Sequence, residues 1–93
     1  MKLPINYDDT HWTIRKRVRE QYVENQNGKC WFCGNNLDDA PTEEIEEAYI
    51  NRRLFPLHFF DTPIHLHHNH DTGMTIGAIH CRCNAYLWQY KGE

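Results

Sequence analysis

Between residues 10 and 27 the apolar side chains Ile14, Val18 and Tyr22 recur every four positions, with Trp12 and Val23 close to the same line. A repeat near 3.6 predicts an amphipathic helix. Asp9 or Thr10 is placed to cap its start, and Gly28 to end it. Arg15, Lys16, Arg17 and Arg19 fall mostly off the apolar stripe, which makes them either a solvated face or a face that contacts phosphate. The nine residues before this segment have no period, and Pro4 argues against helix, so an arm or edge segment is expected there.

Residues 35–63 carry a weaker pattern. Thr42 precedes the run EEIEEAYINRRLF, which predicts a short acidic helix with Ile45, Tyr49 and Leu54 facing inward. Its glutamates stand at the start and Arg52 and Arg53 near the far end, as the helix dipole favours. An acidic insertion over about residues 38–56, packed beside the rest of the fold, is the expectation. Pro56 and Pro63 then bracket a loop or edge strand in which His58 is expected to pack. From Ile64 the period falls to two: a strand over 64–70, a hairpin turn at Asp71-Thr72-Gly73 and a return strand over 74–79. A helix over 82–90 follows, with Ala85, Leu87 and Trp88 available for packing.

The chain has 93 residues, 40% of them hydrophobic. That is enough for one small domain, whose core stabilises it only marginally, so a covalent or metal staple is expected. Four cysteines could supply two disulfides or one metal site. No charged n-region with an apolar h-region opens the sequence, and no apolar run reaches membrane-spanning length. The expected compartment is a reducing cytoplasm, which favours metal over disulfide. Net charge is −3, and its distribution matters more than its sum. Residues 1–34 carry six Lys/Arg and four Asp/Glu, residues 35–63 two and seven, and residues 64–93 two and two. The excess acid is confined to the middle segment, so the total does not exclude a nucleic-acid partner.

The candidate chemistry is concentrated in HLHHNHDTGMTIGAIHCRCN, residues 65–84, which hold five of the seven histidines and two of the four cysteines. Imidazole and thiolate bind borderline metals, and imidazole is also the base whose pKa lies near neutral pH. Upstream, Cys30-Trp31-Phe32-Cys33-Gly34 has the C-x-x-C spacing of a metal knuckle. Its rival, a thioredoxin-like redox pair, lacks a βαβ context. His80-Cys81-Arg82-Cys83 offers both H-x-x-C and C-x-C. Ligands three apart point at one ion more readily, which favours Cys30, Cys33, His80 and Cys83, with Cys81 the alternative to His80.

Taken together, these parts resemble the HNH, or ββα-metal, endonucleases, most closely the recombination endonuclease VII type. That pattern runs C-x-x-C, Asp-His-x-His or a His variant, T-G-x-x-x-G, and a second C-x-x-C leading straight into Asn. The matching pieces are Cys30 and Cys33, His67-His68-Asn69-His70, Thr72-Gly73 with Gly77, and His80 to Cys83 followed by Asn84. His67 stands where the family has an acidic ligand, and His80 where it has a cysteine. The contiguous letters His68-Asn69-His70 are a coincidence, because the family's three letters lie far apart in sequence.

The resemblance implies an α+β fold, a small zinc-stapled ββα-metal nuclease domain with an N-terminal helix, spanning residues 1–93 with its core motif at 64–90. It implies metal-dependent hydrolysis of DNA to 5′-phosphate and 3′-hydroxyl ends. The chain ends nine residues after Asn84, so nicking or cutting of duplex is expected rather than junction resolution. Four cysteine and histidine ligands would hold a structural zinc. His68 would be the general base, oriented by a backbone carbonyl of the return strand. His67 and Asn84 would hold one catalytic divalent cation, Mg²⁺ or Mn²⁺, with Ni²⁺ or Zn²⁺ also suited to imidazole. Strict alternation points His67 and His68 to opposite faces, so a twist or bulge is expected at that step. His70 and His65 are candidates for phosphate contact or for structural roles, and Arg15, Lys16 and Arg19 for DNA contact. The setting this family suggests is a phage or mobile element acting in a bacterial cytoplasm; a homodimer is left open. The competing reading is a non-catalytic zinc module that binds nucleic acid or protein.

Overall fold

The computed structural model describes residues 2–92. It is a small α+β fold. Helix α1 spans Trp12–Asn25, α2 Glu43–Glu47, a 3₁₀ turn Arg52–Leu54, β1 Ile64–His68, β2 Thr75–His80 and α3 Cys81–Lys91. Among the described residues no helix is long and apolar enough to cross a membrane.

The two strands form an antiparallel hairpin in which Ile64 faces His80 and His67 faces Gly77. A bulge falls at the His67/His68 step, where the sequence demanded an irregularity, but the extra residue is Ile76 of β2. The turn is wider than Asp71-Thr72-Gly73. Asn69 builds it: its side-chain oxygen accepts from Asp71 N at 2.8 Å and Thr72 N at 2.9 Å, while its own N–H donates to Met74 O. Gly73 sits at φ +77°, and a Cβ there would lie 3.1 Å from Asn6 and Asp8 oxygens, so no larger residue fits the position without strain.

The outer edge of β2 is covered rather than exposed. Thr75 N donates to Ile5 O, Tyr7 N donates to Gly73 O, and Asn6 bridges to Met74, so the N-terminal segment is the expected edge piece. Further along the same edge, the Gln26 amide pairs with both N and O of Ala78 at 2.9 Å. A Cβ on Gly77 would come within 2.8 Å of Gln26 and 3.0 Å of Trp31, so glycine is what permits this close approach.

Several local expectations are corrected. The α1 cap is His11, whose ring accepts from Thr13 N. Thr10 is instead spent on the preceding turn, donating to Asn6 O. Asn27, not Gly28, takes the first left-handed position after α1, with φ 56°. The bonds Asn27 N to Glu24 O and Gly28 N to Val23 O complete a Schellman closure. Val18 is fully buried, but Ile14 is partly and Trp12 largely exposed.

The acidic helix stops at Glu47, so Tyr49 and Leu54 are exposed and Arg52 and Arg53 belong to the separate 3₁₀ turn. The cause is Arg82 of α3, which donates to Ile45 O and Ala48 O and satisfies the carbonyls at the end of α2. Thr42 precedes the helix but makes no side-chain cap bond. Ile45 joins the core with Leu37, Ile79, Leu87, Cys30 and Cys83, so the insertion does pack beside the cysteines. His58 is exposed, 2.8 Å from Asp61, and does not pack as expected. Trp88, expected to pack, is half-exposed.

Candidate metal centre and the groove beside it

Two separate features emerge from the hairpin and α3. The first is the cluster Cys30, Cys33, His80 and Cys83, whose ligand atoms all lie within 4.8 Å of one another. These four residues are positioned to bind a metal. The knuckle folds locally, with Gly34 N bonded to Cys30 O and Cys30 N to Asn35 O. His80 ends β2, and Cys83 follows in the first turn of α3. His80 Nε2 donates to Asp39 O at 2.8 Å and Asn36 O at 3.0 Å. That fixes the tautomer and leaves the Nδ1 lone pair facing the Cys33 and Cys83 sulfurs at 3.5 and 3.6 Å. The thiol of Cys30 is pushed down to about 4, chiefly by a hydrogen bond from Cys83, which holds the proton in turn and is itself raised. A cation arriving here would replace that shared proton. Cys81 lies outside the cluster, half-buried, with its thiol pushed up by desolvation.

The second feature is a groove of about 520 Å³ running along β1 between α1 and α3. From α1 it takes Trp12, Arg15, Lys16 and Arg19, at i, i+3, i+4 and i+7, one helical face. β1 and the turn contribute His65, His68 and His70. α3 contributes Asn84 and, one turn on, Trp88. Among the described residues no carboxylate lines the groove, although the chain is net acidic.

His68 and His70 stand with ring centroids 4.7 Å apart. The other face of His68 is covered by Tyr7, stacked at 3.9 Å with 4° between the planes. Tyr7 in turn lies under the Arg15 guanidinium, whose Nε donates to Tyr7 O. Stacking occupies the ring face and leaves the edge nitrogens for chemistry. Desolvation, reinforced by nearby His70, holds the His68 pKa below the ordinary imidazole value, while the Leu66 carbonyl and Asp8 oppose that shift.

Asn84 donates its amide N–H to His65 Nδ1 at 3.1 Å, and His65 Nε2 donates to Phe59 O at 2.8 Å. Burial also lowers the His65 pKa, keeping that ring neutral. The Asn84 carbonyl oxygen is buried without a hydrogen-bond partner. Such an orphan ordinarily costs about 1–3 kcal/mol. The pairing of His67 with Asn84 expected from the sequence is therefore corrected: His65 stands opposite Asn84. The reason is where α3 leaves the hairpin. It follows directly on His80, whose strand partner is Ile64, so its first turn lies beside His65, and Trp88, further along, reaches His70. His67 is buried with its ring against Trp31. A bulge on the partner strand adds twist but does not bring His67 round to the groove.

Sequence reasoning missed Tyr7, Trp12 and Trp88 as lining residues. The i, i+3, i+4, i+7 spacing of Trp12 with the three cations was the signal that could have found one of them. Comparison with family models, with curated proteins and with solved structures returned no match.

Proposed function

We propose that this protein is a metal-dependent DNA endonuclease of the HNH type, stapled by one structural zinc. The observation that carries the reading is the groove itself. In a chain of net charge −3, it gathers three cationic side chains, four histidines and an orphaned asparagine carbonyl, with no carboxylate among the described residues that line it. Such a surface suits a phosphodiester backbone.

Zinc is supported by distance. A tetrahedral ion with Zn–S near 2.3 Å and Zn–N near 2.0–2.1 Å sets N and S roughly 3.6 Å apart, and the His80 Nδ1 to sulfur distances are 3.5 and 3.6 Å. At the second site the donor set is His65 Nδ1 and Asn84 Oδ1. An amide rotation exposes that oxygen together with a histidine lone pair already fixed by the Phe59 carbonyl. A divalent cation held there by His65 and Asn84 would supply Lewis-acid stabilisation of the phosphate and leaving oxygen. His68 removes the proton from the attacking water, Tyr7 and His70 hold its ring, and Arg15, Lys16 and Arg19 hold flanking phosphates.

Supercoiled plasmid incubated with Mg²⁺ or Mn²⁺ tests the proposal. Cation-dependent nicking is expected; binding without cleavage by the zinc-loaded protein is the result of an inert zinc module. The same assay locates the cation. His65→Ala and Asn84→Ala are each expected to raise the Mn²⁺ concentration for half-maximal nicking by roughly 10- to 100-fold. A shift caused by His67→Ala and not by His65→Ala would restore the sequence-based assignment.

Tyr7 is a positioning residue for His68. Tyr7→Ala is expected to lower kcat about 10- to 100-fold with little change in KM, since a small displacement of a reacting group is costly. Tyr7→Phe keeps the stack and is expected to restore most of the rate. Equal losses in the two variants would show that the hydroxyl, not the stacked ring, matters.

A further inference from the structure

The groove has a property that phosphate binding does not use: an exposed indole on each wall. Trp12, on α1, is 68% exposed, and Trp88, on α3, is 49% exposed. Indoles are ordinarily well buried in a folded chain. Trp31 is also half-exposed, but it packs on the His67 side and does not line the groove.

Each indole belongs to an ordered array. Trp12 shares its helical face with Arg15, Lys16 and Arg19. Trp88 ends a series of rings that crosses the groove from one wall to the other. The Arg15 guanidinium lies 3.9 Å from the Tyr7 ring, Tyr7 is 3.9 Å from His68, His68 is 4.7 Å from His70, and His70 is 5.0 Å from Trp88. The series gives the groove planar π-surfaces alongside a row of cations.

We infer that the groove binds an unpaired DNA strand, with bases stacked on Trp12 and Trp88 and phosphates on the α1 cations. A paired duplex offers only base edges in its grooves, since its base faces are covered by their neighbours. Indole faces can be used only by bases whose own faces are free, and a cationic track with interleaved aromatics is how single strands are held without sequence readout. The inference refines the substrate of the proposed nuclease from duplex to unpaired or locally opened DNA. As a statement about binding, it stands or falls separately from cleavage.

The test is fluorescence anisotropy of a labelled mixed-sequence 20-mer, single-stranded or annealed to its complement, with zinc-loaded protein and no added Mg²⁺ or Mn²⁺. The single strand is expected to bind more tightly. Trp12→Ala and Trp88→Ala are each expected to weaken that binding about 10-fold, with less than about a twofold effect on duplex. Lys16→Gln is expected to lower the salt dependence of binding by about one unit of slope on either form. Both indoles are exposed, so the variants are expected to keep wild-type zinc content and circular dichroism, which are measured alongside. Duplex bound as tightly as single strand, unchanged binding in the tryptophan variants, or no binding to either form each overturns the inference. Tryptophan-dependent binding of the single strand without Mn²⁺-dependent cleavage leaves it standing and overturns the nuclease reading instead.

Discussion

Removing the metal assigned to Cys30, Cys33, His80 and Cys83 is expected to unfold the protein. Structural zinc in small modules contributes roughly 10 kcal/mol or more of apparent binding energy at neutral pH. Domains are stabilised by only about 5–15 kcal/mol in all, so that contribution is comparable to the whole. The geometry makes the dependence sharper. Cys30 and Cys83 belong to the four-residue cluster positioned to bind a metal and are also members of the buried core with Ile45, Ile79 and Leu87, so an empty site would leave polar thiols in that core. Addition of a strong chelator, followed by circular dichroism, is expected to show loss of the helical signal, recovered on adding zinc. Cys30→Ser and Cys83→Ser are expected to be unfolded or poorly soluble. Cys81→Ser is expected to fold with one zinc per chain, because Cys81 lies outside the cluster. Unfolding of Cys81→Ser together with undiminished zinc in His80→Ala would refute the ligand set.

His68→Ala is expected to abolish most cleavage while leaving fold, zinc content and DNA affinity nearly unchanged. A positioned general base contributes on the order of 100- to 10,000-fold, and the loss is expected in kcat, since the role proposed for His68 is to move a proton and not to anchor the strand. Its pH signature has a definite sign. Desolvation and the neighbouring His70 hold the His68 pKa below the ordinary imidazole value of about 6.5. The ring is therefore neutral and able to accept a proton at pH 7. The rate is expected to fall as pH drops through that lowered pKa, placing the acid limb of kcat below about 6.5. His68→Ala is expected to lose this limb along with the rate. Steady-state nicking against pH at saturating Mn²⁺ checks both points; full activity in His68→Ala, or an acid limb centred above neutrality, overturns the role.

What was legible in the sequence was local. The hairpin followed by a helix could be read from a period-two run leading into a helical one, and both strands and α3 lie within a residue or two of their expected spans. The metal ligand set was equally readable. C-x-x-C and H-x-x-C each bring two donors to one ion through a single turn of backbone, which is why His80 rather than Cys81 completes the cluster. The irregularity at His67/His68 was expected only once the family resemblance had put both histidines in one site, since alternation by itself predicts a regular strand.

What only the tertiary structure decided depends on contacts between segments far apart in sequence. Whether His65 or His67 faces Asn84 is set by the end of the hairpin from which α3 departs, and no local spacing encodes that. The acidic helix has the composition to run through Tyr49, yet it stops at Glu47 because Arg82, 37 residues beyond Ile45, satisfies its last carbonyls. Trp12 and Tyr7 carry no motif, and they matter only because the N-terminal segment docks on β2 and brings Tyr7 onto His68. Backbone geometry repeats over three or four residues, so a sequence can specify a knuckle or a strand face by spacing. The meeting of two such faces is decided by packing, where every element constrains the others at once.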